Sequence, residues 1–121
     1  MAKILIIDDD PETVKLLETI AQMDGHETQH VQESKFAIQV VESFNPDLIL
    51  LDIMMPEING IAICKLIKSK PETSHIKVMM VSALNDDGTK RDSYNAGAEQ
   101  FVTKPILPKM LTQQISDLLK K

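Results

Sequence analysis

The chain has 121 residues, of which 43% are hydrophobic and 26% charged, and its formal net charge is −5. That length holds one domain whose core can fold without disulfides, and the acidic balance, with no Trp, one Tyr and three Phe, excludes a general nucleic-acid backbone binder and a base-stacking platform. Cys64 is the single cysteine, so an internal disulfide and a Cys-rich zinc site are excluded, and no apolar run approaches the ~18 residues of a membrane span.

Met-Ala-Lys leads straight into Lys3–Ile7, a nearly continuous β-branched run. Such a run suits a strand covered on both faces. Without a signal-peptide pattern, a reduced cytoplasmic compartment is expected. Asp10 is placed to cap a helix that has Pro11 at its first position, Val14, Leu17 and Ala21 on its inner face and Gly25 as its stop. A weaker strand covers about Glu27 to Val31, and Ser34 is expected to cap a second helix carrying Ala37, Val40, Val41 and Phe44 at helical spacing. Asn45-Pro46 ends it. Asp47 to Leu51 reads as a third strand running into Asp52, followed by a turn-rich loop, Ile53 to Gly60. Ile63, Leu66 and Ile67 mark a third helix, with Cys64 as a packed small residue. Ile76 to Val81 is a fourth strand ending at Ser82. The fourth helix, about Asp86 to Ala96, offers only Tyr94 and Ala96 as an apolar side and should be the least firmly packed element. Gly97 suits its left-handed stop. Glu99 to Thr103 is a fifth strand, and Leu107, Leu111, Ile115 and Leu118 line a last helix that ends in Lys120-Lys121.

Strand and helix therefore alternate five times, which predicts an α/β fold with a parallel sheet and helices on both faces. Ligands of such sheets bind beyond the carboxyl ends of the strands. The residues at those ends are Asp8 and Asp9, Asp52, Ser82 and Lys104. Clustered carboxylates repel one another and need a cation, and a set of oxygen donors without His or Cys favours Mg²⁺. Lys104 adds a fixed positive charge and Ser82 a hydroxyl, which together are the needs of phosphoryl transfer. Asp52, alone on its loop, is the best nucleophile. No Gly-rich phosphate loop is present. His26, His30 and His75 are scattered away from this edge and are not expected to bind metal.

Across its whole length the chain resembles the receiver domains of bacterial two-component response regulators, and among them the chemotaxis-type single-domain receivers. The resemblance rests on Ile7-Asp8-Asp9-Asp10, on Leu51-Asp52-Ile53-Met54-Met55-Pro56-Glu57-Ile58-Asn59-Gly60, on Val81-Ser82-Ala83, and on Ala96-Gly97-Ala98 leading to Phe101-Val102-Thr103-Lys104-Pro105. It implies one receiver domain over residues 1–121 and a flavodoxin-like (βα)5 sheet of order 2-1-3-4-5. It further implies that Asp52 accepts phosphate from a sensor histidine kinase or phosphotransfer protein. Asp9, Asp52 and the carbonyl of Met54 would bind Mg²⁺, with Asp8 assisting, and Ser82 and Lys104 would contact the phosphoryl group. The Lys104–Pro105 bond is expected to be cis. Phe101 would be the switch aromatic, either exposed towards a partner or packed in the core. The fourth helix, fifth strand and last helix would form the face for a downstream protein or a weak homodimer, with no nucleic acid or membrane engaged by this chain.

Such a domain is a signalling module that catalyses its own phosphorylation. Met54 and Leu84, at the positions that tune phosphate lifetime in this family, are apolar, which implies slow dephosphorylation. An Asp-nucleophile phosphatase is disfavoured because its general acid would stand where Met54 is. A flavin protein is disfavoured because Asp8-Asp9-Asp10 would repel a phosphate. A receiver-like module that no longer takes phosphate is disfavoured because the expected residues are all present.

Overall fold

The computed structural model describes residues 1–120. The elements run β1 (Lys3–Ile7), α1 (Pro11–Met23), β2 (Glu27–Val31), a short 3₁₀ turn (Ser34–Phe36), α2 (Ala37–Phe44), β3 (Leu48–Leu51), α3 (Gly60–Ser69), β4 (Lys77–Ser82), α4 (Asp87–Asn95), β5 (Gln100–Thr103) and α5 (Pro108–Leu119). The five strands are parallel and lie in the order β2-β1-β3-β4-β5, a flavodoxin-like arrangement. Lys121, the second of the two expected terminal lysines, lies outside the described residues.

The unbroken apolar strands follow from two cores, one on each face of the sheet. Ile4 and Ile6, Leu48 and Leu50, and Met79 and Val81 pack with Val14, Leu17 and Ala21 of α1 and with Leu111, Ile115 and Leu118 of α5. The intervening residues, Leu5 and Ile7, Ile49 and Leu51, and Val78 and Met80, pack with Val41 and Phe44 of α2 and Ile63, Cys64 and Ile67 of α3. Successive side chains of a strand point to opposite faces, so a strand covered on both must be apolar at every position.

Several sequence expectations change in the structure. Ser34 does not cap α2; Phe36 holds that position, without a side-chain cap, while the Ser34 hydroxyl turns inward. Leu66 and Tyr94 point to solvent, because the inner faces of their helices are taken by Ile63, Cys64 and Ile67 in α3 and by Ser93 in α4. Leu107 precedes α5 as its N-cap residue and is exposed, and Val40 is only half-buried. Of the two apolar residues expected to anchor α4, Ala96, now its C-cap, is buried in the core and Tyr94 is not, and within the helix itself Ser93 is the one buried residue. Among the described residues, no helix is long and apolar enough to cross a membrane.

Candidate phosphoacceptor site

The register of the sheet builds the site. Ile7 stands opposite Leu51, so β1 and β3 deliver Asp8 and Asp52 side by side, and Ser82 ends β4 opposite Thr103, which brings Ser82 and the following Lys104 to the same edge. The backbone pins those residues: the Asp8 N–H donates to the Val31 carbonyl, Asp52 N–H to Ile7 and Lys104 N–H to Ser82, at 3.1, 2.9 and 2.9 Å. Gly60, the first residue of α3, lies so close to the backbone of Asp52 that any side chain there would strike its carbonyl. Only glycine lets α3 start this near to the end of β3.

Carboxylate oxygens of Asp8, Asp9 and Asp52 all lie within 4.8 Å of one another. Asp8 and Asp52 are buried, and Asp9 is exposed. The Lys104 ammonium reaches in from the β5–α5 loop, 3.2 Å from Asp8 Oδ2 and 3.7 Å from Asp52 Oδ1. The peptide bond joining Lys104 to Pro105 is cis. Ser82 is fully buried at the end of β4, where its hydroxyl accepts the Leu84 N–H at 3.1 Å. Burial first, and then the neighbouring charge of Asp8, push the Asp52 carboxyl up to about 6 against the pull of Lys104. Burial also raises Asp8, opposed by the Asp10 backbone N–H and then by Lys104.

Three carboxylates face one ammonium, so full ionisation leaves an excess of negative charge that a divalent cation can offset. The donors are carboxylate oxygens, two of them on buried residues and one on an exposed residue, the chemistry of a Mg²⁺ site rather than of a soft-metal site. The residues present therefore fit the ion.

Phe101 is buried at 9% exposure, in the core cluster that contains Met80 and Ala98, and the Lys90 ammonium lies 5.9 Å from its ring centre. Of the two placements open from the sequence, the packed one is observed. Met54 is 61% exposed on the β3–α3 loop and Leu84 37% exposed on the β4–α4 loop.

Further polar links hold the β3–α3 loop and, at the far end of the sheet, the amino ends of β4 and β5. The Ser34 hydroxyl donates to the Pro56 carbonyl at 2.6 Å and accepts the Ile58 N–H at 3.2 Å. Lys68 donates to the Ile76 carbonyl and to Glu99 Oε2, at 2.6 and 2.8 Å, while Glu99 Oε1 accepts the Val78 N–H at 2.8 Å. Gly97, at φ 109°, passes over the Lys68 stem, where a Cβ would come within 2.6 Å of Cγ. These links depend on loops meeting across the fold, and no local pattern announces them.

A parallel α/β sheet with a carboxylate cluster, a lysine and a hydroxyl at its carboxyl edge defines a phosphoacceptor-type signalling domain. The family model for the response regulator receiver domain matches residues 4–116, and the chain belongs to that family, the receiver domains of two-component signal transduction. The chain is 34% identical over 119 residues to the response regulator PleD of Caulobacter vibrioides, covering 98% of this chain and 26% of PleD. It is 31% identical over 121 residues to the DNA-binding dual master transcriptional regulator RpaA of Synechocystis, covering all of this chain and 50% of RpaA. It thus spans a quarter to a half of these relatives. The signal receiver domain of a DNA-binding response regulator from Colwellia psychrerythraea superposes with a TM-score of 0.92 at 28% identity, covering 98% of both chains.

Proposed function

We propose that residues 1–121 act as one receiver in which Asp52 takes a phosphoryl group from the phosphohistidine of a sensor histidine kinase or phosphotransfer protein. The observation that carries this is the Asp8–Asp9–Asp52 cluster with Lys104 against two of its members. An Asp52 carboxylate oxygen attacks phosphorus in line. The P–O bond forms as the P–N bond breaks, and the imidazole keeps the electron pair. Mg²⁺, held by Asp9, Asp52 and the Met54 carbonyl with help from Asp8, would neutralise charge on the phosphoryl oxygens. Lys104 moves its pairing from Asp52 to a phosphoryl oxygen, and the Ser82 O–H donates to another. The chain thereby promotes its own phosphorylation without acting on a separate substrate in turnover. Dephosphorylation is slow, because Met54 and Leu84 offer no polar group to orient a water.

The added phosphoryl charge draws Ser82 towards the site, and the β4–α4 loop follows. The output is a change in the face made by α4, β5 and α5. There Tyr94, Leu107 and Met110 are exposed, and a groove of about 230 Å³ runs beside Phe101, Pro105 and Gln114. This face serves a downstream protein or a weak homodimer in the cytoplasm, with no nucleic acid or membrane engaged by this chain.

The test incubates the purified protein with Mg²⁺ and acetyl phosphate. Intact mass should rise by one phosphoryl group in the wild type and not in Asp52→Asn. Equal modification of both would remove Asp52 from the role.

A further inference from the structure

The β3–α3 loop, residues 53–59, carries Met54 two residues after Asp52, so its shape decides whether the Met54 carbonyl and the Asp52 carboxylate converge on one ion. Its own backbone ties are few: Met55 and Gly60 N–H groups donate to the Ile53 carbonyl, and the Ile58 N–H donates to Pro56. Midway, Glu57 adopts a left-handed conformation at φ 72°. A non-glycine residue holds that conformation only when its surroundings enforce it.

The enforcing group comes from another part of the chain. Ser34 follows β2 in the 3₁₀ turn Ser34–Phe36 and is 5% exposed. Its hydroxyl donates to the Pro56 carbonyl at 2.6 Å and accepts the Ile58 N–H at 3.2 Å. These two partners flank Glu57, so one buried hydroxyl closes the turn from outside. With an alanine at 34 the Pro56 carbonyl would keep only the Ile58 N–H as donor, and the turn, held by that single bond, would be freer to relax towards a conformation that Glu57 prefers.

We propose that Ser34 is a positioning residue of the phosphoacceptor site: its hydroxyl locks the Glu57 turn and so sets the Met54 carbonyl against the Asp52 carboxylate. This rests on the phosphoacceptor reading above. Ser34 touches neither the ion nor the phosphoryl group, and it acts only through the loop.

The test compares wild type, Ser34→Ala, Glu57→Gly, the double variant and Ile115→Val, a control that loosens the opposite core. Mg²⁺ affinity is read by calorimetry at pH 8, and unfolding midpoints and acetyl phosphate kinetics over a Mg²⁺ range are read in parallel. Ser34→Ala should bind Mg²⁺ about fivefold more weakly, the factor that follows from one net hydrogen bond. Its phosphorylation should slow at low Mg²⁺ and recover at saturation. Glu57→Gly, which accepts the left-handed turn without a holder, should restore affinity to the double variant. Ile115→Val should lower the unfolding midpoint with Mg²⁺ affinity unchanged. If Ser34→Ala lowers the midpoint but binds Mg²⁺ like wild type, the positioning role is overturned and the phosphoacceptor reading stands. A wild type that binds no Mg²⁺ overturns both.

Discussion

The helices on either side of β5 are held in different ways. α5 inserts Leu111, Ile115 and Leu118, each 3% exposed or less, into the core it shares with α1 and the sheet. α4 buries only Ser93, whose hydroxyl returns to the Thr89 carbonyl within the same helix. It is secured at its ends instead, by the Asp86 side chain on the Thr89 N–H and hydroxyl and by the turn at Ala96 and Gly97. Lys104, Asp8 and Asp52 sit beside the α1–α5 core, while Ser82 leads into α4. The charge-handling groups thus stand on the firm side and the hydroxyl opens onto the loose one. A few kilocalories of phosphate contact can shift only an element whose packing costs no more than that to rearrange.

The largest expected effect breaks the firm side. Ile115→Ala should lower stability by about 2–4 kcal/mol in urea unfolding, whereas Ser93→Ala in α4 should cost less than about 1 kcal/mol. Similar losses from the two would show that α4 is packed as firmly as α5. Next, Lys104→Ala should leave the fold intact but slow phosphorylation of Asp52 by acetyl phosphate at least tenfold, since a fixed charge at the developing oxyanion is lost. A normal rate would show that Lys104 serves only to hold Asp8.

The site's own strain gives a pH signature. A carboxyl raised to about 6 in the folded protein binds more protons than its unfolded counterpart between pH 3.8 and 6. Its destabilising contribution is absent below that window and complete above it. Asp52→Asn should therefore stabilise the metal-free protein by about 1–3 kcal/mol at pH 8 and by almost nothing near pH 4. Mg²⁺ should raise the melting temperature of the wild type at pH 8 and much less at pH 5, where protons compete for Asp52. The mildest change is Asp86→Ala. It should speed amide exchange in α4 while the global unfolding midpoint barely moves, which tests whether α4 is held by its ends.

Much of this was legible before the fold. β1, β3 and β4 are apolar at consecutive positions because both of their faces are covered, and a polar residue stands at or just past the end of these strands and of β5, so the carboxyl edge and its Asp8, Asp9, Asp52, Ser82 and Lys104 could be read in order. The inward turn of Ser34 could not. A serine before a helical run reads as a cap, and only the meeting of the β2–α2 and β3–α3 segments gives its hydroxyl the Pro56 and Ile58 partners. Tyr94 misleads for a related reason: an aromatic residue reads as an inward anchor, but α4 is so poor in apolar residues that Ser93 faces the core and the ring is left outside. The Lys68–Glu99 link is equally invisible locally, because its partners are 31 residues apart.

The central claim is that charge added at Asp52 reaches the loosely packed α4 and spares the firmly packed α5. Hydrogen–deuterium exchange with and without beryllofluoride and Mg²⁺ tests it most directly. The account predicts altered exchange across residues 83–95, with the cores of α1 and α5 unchanged and no response in Asp52→Asn. An unresponsive α4 in the wild type, or the same response in Asp52→Asn, would contradict it.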